Sequence, residues 1–287
     1  MIRGSVAGVC LLIALSGVIA GTPLLVAANR DELYDRPAEV ITVLRGSGPR
    51  ILGGRDAVAG GTWLAVNSHG VVAGLTNQPS ARARDDTRRS RGELPLAFAA
   101  YEDAATAVAK VCADLDPSDY NPCWLLVGDR HSLFSVDMTG GHHPVVRQLP
   151  AGTYVLENVP LPDDSAKARQ ITRMVAAGIA GAAEPEEALA AVLRDHRPAQ
   201  LPAQATRQPA QAAGPQEQPA DAGGRPRPPE LSAACVHTAS YGTRSAMIVS
   251  VGVTGLPRVR VADGPPCQVP FHDMTALWAA PAPHSTP

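Results

Sequence analysis

The sequence predicts an α+β layered architecture, and three observations predict it. Short apolar runs punctuated by Gly, Pro and Asn open the chain. Ala-rich stretches with apolar residues at helical spacing follow in two separate blocks. Strand and helix nowhere alternate one for one, as a parallel βαβ sheet would require.

In order, the strands expected first are "CLLIALS", "PLLVAA", "VITVL", "TWLAVN" and "VVAGLT". The pattern changes at Gly92, where "GELPLAFAAYEDAATAVAKVCADL" reads as two helices or one broken helix. Strands return at "CWLLVGD", "LFSVD", "VVRQL" and "TYVLEN". Asp163–Ala182 and Pro185–Arg197 read as helices, the second opening on a proline suited to a first turn. Residues 197–230 are Pro, Ala and Gln almost throughout, and bury too little to offset their ordering entropy. A disordered insertion is expected there. Order resumes in "LSAACVHTASYGTRSAMIVSVG" and "RVRVAD", and residues 279–287 read as a loose tail. The expectation is one domain over residues 10–278 with that insertion inside it, preceded by an extension, residues 1–9.

The bulk numbers exclude more than they assign. A chain of 287 residues with 45% hydrophobic and 18% charged residues can build a substantial core. A net charge of −2 without a basic stripe gives no footprint for nucleic acid; the basic "RARDDTRRSR" is interrupted by Asp85 and Asp86 and reads as a solvated loop. No apolar run is long enough to span a bilayer. The start, "MIRGSVAGVCLLIALSGVIAG", does imitate a secretory signal.

Five cysteines, an odd number, make no disulfide framework, and they show neither a CxxC pair nor zinc-like spacing. Cys235 and His237 in "ACVHT" would share a strand face; a packed thiol and a surface imidazole is the first reading there, a metal pair the second. His142 and His143 read as loop residues. No metal and no cofactor is expected.

The nucleophile-elbow, P-loop, H-E-x-x-H and dinucleotide-binding motifs are all lacking. What remains is a set of Cys, Arg, Asp and Asn residues at the ends of apparent strands: Cys10, Arg30, Asp31, Asn77, Asn158 and Arg244. Each has a bland reading. Arg30, Asp31 and Glu32 could form a structural ion-pair cluster, the asparagines could be turn residues, and Cys10 could be a small buried hydrophobe. "GGTWL" reads as a tight turn with Trp63 in the core and is given no chemistry.

Five motifs in order, "VAANRDELYDRP", "LGGRDAVAGGTWLAV", "GVVAGLTN", "SRGEL" and "YGTRSA", resemble the NRDE family, which includes the transport and Golgi organisation proteins. Its name-giving tetrad is Asn29-Arg30-Asp31-Glu32 here. The resemblance covers Cys10 to about Val261 and implies the N-terminal nucleophile (Ntn) hydrolase fold, a four-layer αββα sandwich. Similar local patterns in the cysteine branch of those hydrolases, with its bile-salt hydrolases and penicillin V acylases, imply roles for the six residues. Cys10 would be the nucleophile, with its own α-amine as base. Arg30 would favour the thiolate, and Asp31 would hold the α-ammonium, with Glu32 as a substitute. Asn77 would stabilise an oxyanion, while Asn158 and Arg244 would orient the terminal amine and the substrate carbonyl.

Family members usually begin Met-Cys, whereas nine residues precede Cys10 here. The favoured reading is a start at Val9, whose codon, if GTG, initiates as Met and leaves Cys10 exposed after Met removal. Self-cleavage between Val9 and Cys10, or a true signal that discards Cys10, are the alternatives. The expected function is hydrolysis of a non-peptide amide or thioester of a small molecule in the cytoplasm. The alternative is a non-catalytic haem- or lipid-handling protein.

Overall fold

The computed structural model describes residues 10–78, 84–161, 165–199 and 228–279. Among the described residues, thirteen strands form two antiparallel sheets. The first sheet has the order β10 (Gly152–Leu156), β1 (Leu11–Ile19), β2 (Thr22–Leu33), β11 (Tyr241–Val251), β12 (Arg258–Ala262) and β13 (His272–Asp273). The second has β3 (Ala38–Arg45), β4 (Ile51–Asp56), β5 (Leu64–Asn67), β6 (Val72–Asn77), β7 (Cys123–Gly128), β8 (Leu133–Asp137) and β9 (Val145–Leu149).

Helices α1 (Glu93–Phe98) and α2 (Ala104–Asp114) cover the outer face of the second sheet, and α3 (Ala166–Ile179) and α4 (Pro185–Leu193) that of the first. The result is four layers, helix–sheet–sheet–helix. The caps follow local sequence: Asp103 accepts from the Thr106 N–H, Ser165 accepts from the Ala168 N–H, and Pro185 opens α4.

This layering explains why β1 and β2 are apolar without alternation. Leu12, Ala14, Leu24, Val26 and Ala28 face the other sheet, while Leu11, Ile13, Leu15, Leu25 and Ala27 face α3 and α4. Both faces are buried, so the period of two separates two cores rather than core from water. The run that imitates a signal's apolar segment is thus an interior strand, paired with β10 on one side and β2 on the other.

Strand β4 is absent from the sequence expectation because "ILGGRD" carries two glycines, which argue against a strand. Both positions are sites of close approach. A Cβ on Gly54 would lie 2.1 Å from the Trp63 ring, and one on Gly53 would lie 2.4 Å from the Leu64 carbonyl oxygen. The break between the first two helices is real. The third and fourth are shorter than expected, and residues 163–164 lie outside the described residues.

Of the expected disordered insertion, residues 200–227 lie outside the described residues, but its two feet are ordered. The Ala199 N–H donates to Ser232 Oγ at 2.9 Å and the Cys235 N–H to the Asp195 carbonyl at 2.8 Å. Residues 1–9 and 280–287 also lie outside. No helix among the described residues is long and apolar enough to cross a membrane.

Candidate active site

Strand registers bring the charged stretch after "PLLVA" to one end of the first sheet. Leu12 pairs with Leu156 and Leu11 with Asn29, so the same registers carried to the start of β1 set Cys10 opposite Asn158 and Arg30. On the far side of β2, Thr243 pairs with Asp31 and Ser245 with Arg30, leaving Arg244 as the extra residue of a bulge. The sequence tetrad then divides by strand alternation. Asn29 and Asp31 point toward the helices, Arg30 and Glu32 toward the opposite sheet.

Each member has a distinct environment. Asn29 is fully buried and donates through Nδ2 to the carbonyls of Leu193 at 3.0 Å and Ala234 at 2.7 Å, joining the end of α4 and the 234 segment to β2. The guanidinium of Arg30 lies 4.5 Å from the centre of the Trp63 ring and pairs with Glu32 at 3.9 Å. Glu32 also meets Arg36 at 3.6 Å, and Arg36 is held by Asp56 at 2.6 Å. Glu32 therefore belongs to a half-exposed ion-pair chain, and the fully buried carboxylate near Cys10 is that of Asp31.

Asp31 accepts from the Thr243 hydroxyl through Oδ1 at 2.5 Å, and that hydroxyl accepts from the Val236 N–H at 2.9 Å. Its other oxygen, Oδ2, is buried and has no hydrogen-bond partner among the described residues. Burial pushes the Asp31 carboxyl up to about 7, against the downward pull of Lys167, the Thr243 bond and Arg30.

Lys167, on α3, is itself buried, with Nζ donating to the Leu231 carbonyl at 3.4 Å. It is a charge the sequence reading did not include. A Lys two residues beyond a helix-capping Ser was the available signal, and nothing in the sequence says which way it faces.

The Cys10 thiol donates to the Asp31 carbonyl across 3.9 Å. Burial first, then the Asp31 charge, push this thiol up to about 12, and Arg30 pulls it down without prevailing. Arg30 thus pulls toward the thiolate, as its positive charge should, but by less than the desolvation cost.

Asn77 and Asn158 meet across the two sheets, Asn158 Nδ2 donating to the Asn77 carbonyl at 2.6 Å. A further cation comes from "SRGEL". A Cβ on Gly61 would lie 2.5 Å from the Gly92 carbonyl carbon, so "GGTWL" and "SRGEL" pack backbone to backbone. This approach brings in Arg91, which donates to the Pro122 carbonyl at 3.2 Å and whose charge acts on both Cys123 and Cys10. Trp63, given no chemistry from the sequence, is the platform under Arg30. Arg244 directs Nη1 to the carbonyls of Leu33, at 2.9 Å, and Tyr34, so its head lies at the exit of β2. The structure thus gathers Cys10, Arg30, Asp31, Asn77 and Asn158 at one end of the sandwich, with Arg244 turned toward the strand exit.

A second group of donors, His196, Cys235, His237 and Cys267, lies with its four ligand atoms within 4.8 Å of one another. The sequence reading paired only Cys235 with His237; the other two arrive from segments far away in the chain.

Comparison with known proteins shows the family and the fold. Residues 9–262 match the family model described as Transport and Golgi organisation 2. The Transport and Golgi organization protein 2 homolog of Bos taurus is 32% identical over 245 residues, 81% of this chain and 83% of its own length. That of Homo sapiens is 32% identical over 252 residues with the same coverage, 81% and 83%. Among solved structures, the penicillin V acylase of Agrobacterium tumefaciens superposes with a TM-score of 0.52 at 10% identity, covering 93% of this chain and 86% of that one. The four-layer sandwich is the Ntn-hydrolase fold.

Proposed function

The chain belongs to the Transport and Golgi organisation 2 family, and from that premise we propose that it is a cysteine hydrolase of the Ntn type, cleaving a non-peptide amide or thioester of a small molecule. The observation that carries the proposal is the buried Oδ2 of Asp31, which has no hydrogen-bond partner among the described residues, on a carboxylate whose charge acts on Cys10. A buried carboxylate oxygen lacking a donor is costly. An α-ammonium group on Cys10 would satisfy it. The family match also begins at residue 9, immediately before Cys10.

In this mechanism a free α-amine on Cys10, ordinarily titrating at about 7.7–8.0, takes the thiol proton as sulfur attacks the substrate carbonyl. The carbonyl oxygen becomes an oxyanion facing Asn77, and a donor of that kind is worth about 3–4 kcal/mol of barrier. Collapse breaks the C–N or C–S bond, the amine or thiol leaving with the proton held by the α-ammonium. Water then attacks the thioester of the acyl-enzyme, gives a proton to the α-amine and releases the acid. Asp31 holds the amine and Asn158 fixes its surroundings. We place this work in the cytoplasm, where thiols stay reduced.

The test has two stages. The protein is expressed with its natural upstream region and its intact mass is read; a chain beginning at Cys10 is expected. That chain is then screened against small amides and thioesters beside its Cys10→Ala variant. Turnover that survives Cys10→Ala would remove Cys10 from the mechanism, and a mature chain still acylated at Cys10 by upstream residues would remove the base.

A further inference from the structure

We propose that His196, Cys235, His237 and Cys267 form a structural zinc site. The donors converge from three segments: His196 follows α4, Cys235 and His237 precede β11, and Cys267 follows β12. Cys235 Sγ lies 3.6 Å from Cys267 Sγ and 3.5 Å from His237 Nε2, and His237 Nε2 lies 3.2 Å from Cys267 Sγ.

Those separations are the edges of a metal tetrahedron. With zinc–sulfur bonds of about 2.3 Å and zinc–nitrogen bonds of about 2.0–2.1 Å, tetrahedral geometry sets S–S edges of about 3.8 Å and S–N edges of about 3.5 Å. The His196 and His237 rings complete the convergence, with centroids 5.2 Å apart and planes inclined at 48°. Two imidazoles and two thiols are a soft, nitrogen–sulfur donor set that selects zinc over calcium or magnesium. When zinc binds, both thiols release their protons, and two thiolates with two neutral imidazoles balance the charge of the ion. Four protein ligands leave no open position, so the site is structural rather than catalytic.

Its place in the fold gives the site a task. His196 precedes and Cys235 follows residues 200–227, so the ion ties the chain on both sides of that stretch. It also fixes the segment that touches the candidate active site. Val236, between two of the ligands, donates to Thr243 Oγ1, and Thr243 donates to Asp31. The neighbouring Ala234 carbonyl receives Asn29. The site stands on its own residues and does not depend on the hydrolase proposal.

The test uses the full chain, purified under reducing conditions. Elemental analysis is expected to find one zinc per chain, and cobalt(II) in its place is expected to give tetrahedral d–d bands with a thiolate charge-transfer band. Cys267→Ser, a change at a half-buried loop position, should lower zinc affinity by about a hundredfold or more, since even outer-shell partners are worth 10- to 100-fold. Cys112→Ser should retain the metal. The unaltered chain gives a readout independent of any variant: a chelator should lower its Tm and added zinc should restore it. Substoichiometric zinc that Cys267→Ser does not reduce, a cobalt spectrum without the thiolate band, a Tm indifferent to chelator, or a Cys235–Cys267 disulfide in the mass of the native chain would each overturn the proposal.

Discussion

Cys10 and Cys123 are both buried, and burial pushes both thiols up to about 12. Each lies within reach of an arginine that pulls the other way, Arg30 for Cys10 and Arg91 for Cys123. By acidity the two thiols are alike. What separates them is the backbone. Cys123 opens β7, locked opposite Asn77, with its carbonyl accepting from the Met138 N–H. Cys10 stands at the start of β1 beside a carboxylate oxygen that has no donor among the described residues. On the proposed function, Cys10 would be the reactive thiol by its place in the chain and by an acid ready for an amine, not by a low thiol pKa. The same argument makes the amine indispensable: a thiol near 12 is not a thiolate at neutral pH and needs a base at the moment of attack.

The largest expected effect breaks the pair apart. On a chain beginning at Cys10, Cys10→Ala should lower amide or thioester turnover by about 10⁴ or more, as losing a nucleophile does. Cys123→Ala should leave turnover within about tenfold and cost about 1–2 kcal/mol of stability through the lost buried sulfur. Steady-state rates and urea midpoints on both variants separate chemistry from packing.

The next effect belongs to Asp31. Its carboxyl titrates at about 7 in the folded chain, against about 3.9 when unfolded. Between those values the folded state holds the extra proton. The contribution of Asp31 to stability is therefore fully present below pH 4 and is lost as pH rises through 7, on the order of 4 kcal/mol in all. Asp31→Asn keeps an acceptor for Thr243 and has no proton to lose, so urea melts from pH 4.5 to 8 should show that slope removed. The comparison sharpens in a chain beginning at Cys10. There the α-ammonium meets the Asp31 carboxylate and should flatten the slope without any substitution. An unchanged slope in that chain would mean that the amine does not reach the acid.

Much of this was legible before the fold was known. Cys10, Arg30, Asp31, Asn77 and Asn158 announce themselves because polar side chains interrupt apolar strands at their ends, where the strand period and the turn signals agree. Arg91 and Lys167 do not, because a cation in "SRGEL" or on a helix is ordinary until a glycine contact or a packing face turns it inward. The four donors around Cys235 were legible only as a Cys-x-His pair. Residues 30 to 39 positions away in sequence complete the set, and only the antiparallel return of β11 and β12 and the end of α4 bring them together. Strand β4 was hidden for the opposite reason: its glycines, which argue against a strand, admit the Trp63 ring at Gly54 and the Leu64 carbonyl at Gly53.

Thr243 links the two regions, and its replacement should have an intermediate effect. Thr243→Val preserves shape but removes the donor to Asp31 and the acceptor for the Val236 N–H. A cost of about 2 kcal/mol is expected, with the Asp31 carboxyl moving further up. A pH profile of stability shifted upward would distinguish this from simple loss of packing.

The smallest effect is expected at Arg244, the bulge residue whose guanidinium holds the Leu33 and Tyr34 carbonyls. With its head bound at the strand exit, Arg244→Ala should cost about 1 kcal/mol in a urea melt, the ordinary worth of such hydrogen bonds, and change kcat/KM by less than about tenfold. The resemblance to the cysteine hydrolases implies the contrary, that this arginine orients the substrate carbonyl. The two readings part cleanly in kinetics. A loss of 10²–10³ in kcat at unchanged stability, the size of a lost oxyanion donor, would mean that Arg244 leaves the Leu33 and Tyr34 carbonyls when substrate binds. Its bulge would then serve to aim it at the reacting group rather than to close the end of β2.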